Sequence, residues 1–170
     1  MPTRHASLPV SAPALVPSTV RSAALLWFTA VGAGVFEAVI AVAGMIVDGT
    51  ASFANVAAGL GIRLVVFVAA IFMAVRMRQG GNWARVALTV ILGVFGTLSL
   101  VIGPVQWLLA GHTVAEAVAG ADGMTLVFTI SRIVHLAAVL SAVALMFTTT
   151  ANAYFRRPRS LKRSSATVEA

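Results

Sequence analysis

Residues 54–85 read ANVAAGLGIRLVVFVAAIFMAVRMRQGGNWAR. From Ala54 to Val75 the 22 residues include one charge, Arg63, and a helix of about 20 residues, rising about 1.5 Å per residue, crosses the hydrocarbon of a bilayer. The run stops at Arg76-Met77-Arg78, two glycines follow, and a second apolar run opens after Asn82-Trp83-Ala84-Arg85. That pattern predicts two membrane helices joined by a short turn on one side of the membrane. Gly80 and Gly81 permit the reversal, Asn82 is placed to cap the next helix, and Trp83 suits an aromatic belt at the interface.

Working outward, further apolar runs occupy residues 23–47, 86–109 and 126–149. With 59% hydrophobic residues, 10% charged residues and a mean hydropathy of +0.97 in 170 residues, a water-soluble monomer is excluded. The expected fold is an all-α membrane protein, an antiparallel bundle of four transmembrane helices over residues 23–154. A Pro-rich, disordered lead (1–22) precedes it and a basic tail (155–170) follows. Ser52 or Asn55 is placed to cap the second span, and Pro104 is expected to loosen the end of the third. Thr113-Val114-Ala115-Glu116 fits a capping box, with Gly120 as a stop, so a short helix is predicted in the loop before span four.

The formal net charge of +7 would point to nucleic acid in a soluble protein, but the placement of the charges follows the membrane. Ten of the twelve Lys and Arg lie in the N-terminal segment, between spans two and three, and after span four; loops 48–53 and 110–125 carry none. The bias places both termini and the middle loop on the cytoplasmic side of the membrane. No nucleic-acid partner is expected, whereas the basic C-terminal tail suits anionic lipid. The absence of cysteine excludes disulfides, thiolate metal sites and thiol redox chemistry.

Ionisable residues inside hydrocarbon are costly and usually functional. Here they are Glu37, Arg63, Arg132 and His135. Because spans one and two are joined by a short loop, a Glu37–Arg63 ion pair is predicted, with His135 nearby and Arg132 either beside it or near Asp48. Small residues mark the faces where helices pack: Ala30, Gly34 and Ala41 on span one, Gly93 and Gly96 on span three. Trp27, Trp83, Trp107 and Tyr154 are read as interface anchors. No catalytic constellation, metal site or cofactor site is apparent.

Two segments, RQGGNWAR at residues 78–85 and NAYFRR at residues 152–157, resemble motifs of small four-span membrane proteins of actinobacteria that are mostly uncharacterised. The resemblance covers approximately residues 20–157. It implies origin, topology and plasma-membrane location, and no activity. Glu37 also echoes the membrane-embedded glutamate in span one of small multidrug transporters, although two intramembrane arginines would repel cationic substrates. The expectation is a non-enzymatic accessory or scaffold subunit of a membrane assembly, partnered by another membrane protein or by its own copies. The alternative is a small proton-coupled transporter or channel using Glu37.

Overall fold

A computed structural model of the chain describes residues 16–50 and 52–156. These are all helical apart from turns: α1 (Ser18–Val47), α2 (Phe53–Arg78), α3 (Asn82–Ala87), a π-helical segment (Leu88–Gly96), α4 (Thr97–Leu109), α5 (Val114–Ala119), α6 (Gly123–Met146) and α7 (Thr149–Arg156). Four helices are long and apolar enough to cross a membrane: α1, α2, the continuous third helix Asn82–Leu109, and α6. Most of the Pro-rich lead (1–15) and of the basic tail (157–170), with the lipid contact assigned to it, lie outside the described residues.

The helix boundaries follow local chemistry, with some departures from the expected signals. The first helix starts at Ser18, within the stretch read as lead, because Pro17 at the N-cap is the last helix-breaking residue before an uninterrupted helical run. Ser52 occupies the N-cap position of α2, yet its side chain makes no capping hydrogen bond. At the next turn the N-cap is Gly81, so Asn82 is the first helical residue and caps nothing. Gly80 has φ +83°, the left-handed conformation that a tight helix exit requires. The short helix α5 forms as read: Thr113 and Glu116 complete both halves of the capping box, and Gly120 ends it. For α6 the cap is Asp122, whose carboxylate accepts a 2.7 Å hydrogen bond from the Thr125 amide.

Pro104 does not end or interrupt the third span, since α4 runs through it to Leu109. The departure from α geometry lies upstream, in the nine residues Leu88–Gly96, where the turns are widened to the π form. Thr89 Oγ1 donates to the Arg85 carbonyl at 2.9 Å and Ser99 Oγ to the Gly96 carbonyl at 2.8 Å, so hydroxyls bond backbone oxygens at both flanks of the widened stretch. Span four likewise ends earlier than expected, at Met146, and after a break at Phe147 and Thr148 the chain resumes as α7.

Packing is uneven along the molecule. The start of α1, the end of α2, the start of α3 and the α6–α7 break meet at one end, which carries Arg76, Arg78, Arg85 and Arg156. There a core of Ala23, Trp27, Met77, Ala84, Leu88 and Met146 is almost fully buried. The most extensive helix contact is α1 against α6, then α1 against α2. Toward the opposite end fewer residues are buried, and α4 has none.

Candidate functional site within the spans

Glu37 sits ten residues before the end of α1, about 15 Å down the helix at 1.5 Å per residue. It is 9% exposed, flanked on its own helix by Gly34, Ala38 and Ala41, whose small side chains let α6 approach. All of its polar partners come from α6. The Nδ1 atom of His135 lies 3.2 Å from Glu37 Oε1, Ser131 Oγ donates to the same oxygen at 3.5 Å, and Arg132 Nε stands 3.9 Å from Oε2. When His135 Nδ1 carries a proton it donates a hydrogen bond to the carboxylate. Arg132 also lies over the Phe128 ring, 5.3 Å from its centroid.

The expected Glu37–Arg63 pair does not form. Arg63 is exposed, has no ion-pair partner within 4.0 Å among the described residues, and extends back along α2 beside Gly59. The short connection between spans one and two fixed them as neighbours, but it did not fix their rotation. Both face a common space, however. A cavity of about 390 Å³ lies between all four long helices. Glu37, Arg63, Arg132 and His135 line it as a charged collar, with Trp27, Ala70, Leu92 and Val139 below toward the basic end. The π segment contributes Leu92 and Gly96, and the following turn Ser99 and Leu100. Wide turns of this kind recur at functional sites because they redirect side chains.

Trp27 is at the depth expected of an interface anchor but faces inward. It is 1% exposed, lines the cavity, and its indole N–H has no acceptor among the described residues. Trp83 is half exposed with its ring 6.3 Å from Phe72, and Trp107 stacks on His112 at 4.7 Å. The small residues divide by function. A β-carbon added at Gly34 would stand 3.0 Å from Phe67 and 3.4 Å from His135, and one at Gly93 would stand 3.0 Å from Val143, so both serve packing within the chain. Ala30 is buried in the core, and Ala30, Gly34, Ala41 and Gly96 all border the cavity.

A second polar cluster, not anticipated, joins the two quoted motifs at the basic end. The Arg85 guanidinium donates to Asn152 Oδ1 at 2.8 Å and to the Met146 carbonyl at 3.3 Å, where the α6 break leaves backbone oxygens unpaired. It lies over the rings of Phe147 and Phe155, 4.6 and 4.8 Å from their centroids. Tyr154 Oη donates to the Arg78 carbonyl at 2.8 Å, and Thr19 and Thr150 hydroxyls are 3.2 Å apart. This is a latch that ties α7 to the ends of α1 and α2 and to α3. The signal was present in the sequence as polar and aromatic residues clustered at two span ends, but which would meet could not be read from either alone. No protein-family model, curated protein or solved structure gives a significant match to the chain.

Proposed function

We propose that this chain is an antiparallel four-helix protein of the bacterial plasma membrane, with cytoplasmic termini, that works without enzymatic chemistry as a small proton-coupled transporter. The observation that carries the reading is Glu37 in the wall of a cavity of about 390 Å³ at mid-span, 3.2 Å from His135 and 3.9 Å from Arg132. A carboxylate serving helix association alone needs no adjoining space. One that exchanges its proton as solute enters needs both the space and a counter-charge to release.

The working cycle follows from these contacts. With Glu37 ionised, Arg132 and His135 are held against it. Protonation of Glu37 cancels the attraction and frees the Arg132 charge toward the cavity, so proton and solute occupancy become linked. The packed core at the basic end bars that side, so solute enters from the other, where fewer residues are buried. The accessory-subunit reading retains one specific support: Gly32 and Gly44 have nothing within 4 Å of an added β-carbon, leaving small-residue positions open to another helix.

The test uses proteoliposomes holding a pH gradient and an internal pH dye. Solutes of anionic, cationic and neutral classes are added in turn. At least one class is expected to collapse the gradient faster than in protein-free vesicles, and Glu37→Gln should remove the effect while helicity and elution volume stay unchanged. If no class does so, or if Glu37→Gln conducts like the parent, the transport reading is wrong. A stoichiometric unlike partner after gentle extraction would then favour the accessory role.

A further inference from the structure

The geometry points to an anionic amphiphile, a single sulfonate, phosphate or carboxylate head on a short apolar tail, as the occupant of the cavity; this rests on the transporter reading above. Charge is the first argument. The collar carries two arginines against one glutamate, and Arg63, from α2, has no counter-ion of its own among the described residues. From α1 the collar receives Glu37, from α6 Arg132 and His135, and from the third span Ser99 but no ionisable group. With Glu37 ionised the site holds an excess of one positive charge when His135 is neutral. With Glu37 protonated the excess becomes two. A guanidinium facing a low-dielectric space attracts an anion and repels a cation.

Trp27 borders the same space, so its indole ring reports on what occupies it. Shape is the second argument. Beneath the charged collar the walls are Ala70, Leu92 and Val139, and no charge lies there. A head held at the collar therefore places its tail against apolar side chains. The volume lies at the lower end of the ~300–1,000 Å³ usual for small-molecule sites.

Coupling then has a direction. A proton entering Glu37 releases Arg132 to join Arg63 around the head, so proton and anion enter together and leave together.

The probe is hexanesulfonate, which stays ionised across the assay range and so cannot carry protons through lipid by itself. Its cationic counterpart is hexyltrimethylammonium, and hexanol is the neutral one. Binding is read from Trp27 fluorescence in full-length protein carrying Trp83→Phe and Trp107→Phe, in phosphatidylcholine nanodiscs. Hexanesulfonate is expected to bind at least tenfold more tightly than the cation, and Arg63→Gln to weaken it by about tenfold, the loss of one charge-assisted contact. Arg63→Lys should recover part of the affinity, which a purely structural role for Arg63 would not predict.

Repeating the titration with phosphatidylglycerol in the discs separates two sources of the head. An Arg63-dependent fall in apparent affinity identifies a lipid, and an unchanged affinity identifies a free solute. Preference for the cation, or sulfonate binding indifferent to both Arg63→Gln and Arg132→Gln in folded protein, overturns the inference. Gradient collapse by cations that requires Glu37 would sink this inference alone and leave transport standing. Sulfonate binding without any gradient collapse would do the reverse.

Discussion

Glu37 and Arg132 are 95 positions apart in the sequence, and Glu37 and Arg63 only 26, yet the distant pair is the one in contact. Sequence proximity indicates which helices are neighbours; it does not indicate rotation, because each further residue turns the side chain by ~100° in a helix of 3.6 residues per turn. That Glu37, Arg63 and His135 share a layer was legible, since depth depends only on counting, whereas Arg132 counted equally well to the outer interface. Their pairing was not. The pairing predicts non-additive stability: in detergent, Glu37→Gln and Arg132→Gln should couple by more than about 0.5 kcal/mol in a double-mutant cycle, while Glu37→Gln and Arg63→Gln should add. Glycines offer a sharper contrast. Gly34→Leu must displace Phe67 or His135 and is expected to lower stability by about 1–3 kcal/mol. Gly44→Ala meets nothing within 4 Å and should be neutral or stabilising by up to about 1 kcal/mol. Thermal melts of the two variants in the same detergent check both.

Among the elements, the third span holds the feature the sequence concealed most. Proline has an obvious mechanism for disturbing a helix and is visible as Pro104. A π segment has no compositional mark, because the same Leu, Val and Gly residues satisfy either geometry and neighbouring packing decides. By contrast, α5 was readable because a capping box is a local reciprocal hydrogen bond. The cap of α6 carries a pH dependence. Hydrogen bonds from Thr125, its side chain first and its amide second, hold the Asp122 carboxyl below the usual carboxylate range. A lowered folded value means that the stabilisation is complete above the unfolded pKa of about 3.9 and is lost as pH falls through the folded one. Hydrogen exchange should show Thr125 amide protection falling in that acid range, and Asp122→Ala should remove the dependence. The latch has its own test. Arg85→Ala or Asn152→Ala removes the 2.8 Å bond, and each is expected to cost about 1–3 kcal/mol through the buried polar groups left behind. Tyr154→Phe should cost less, about 0.5–1.5 kcal/mol.

Over the whole molecule, the apolar runs made the four long helices legible, because bilayer thickness and backbone satisfaction leave a chain of this composition few alternatives. The cavity was not legible, since a void has no residues of its own; it lies between four helices whose buried core is concentrated at the basic end. Single cysteines introduced into this cysteine-free chain at Ser99 and Ala142 should therefore differ in reaction with a membrane-permeant thiol reagent: Ser99 labelled promptly, Ala142 protected until unfolding.

The dependence of Glu37 on α6 also has a consequence for biosynthesis. A ribosome delivers α1 to the bilayer first, and His135 emerges 98 residues later. Until then the carboxyl must enter lipid neutral or wait shielded in the translocation machinery, because neither of its basic partners has been translated. Nascent chains stalled before α6 would thus hold an orphan acid in hydrocarbon, and α6 completes the interior of α1.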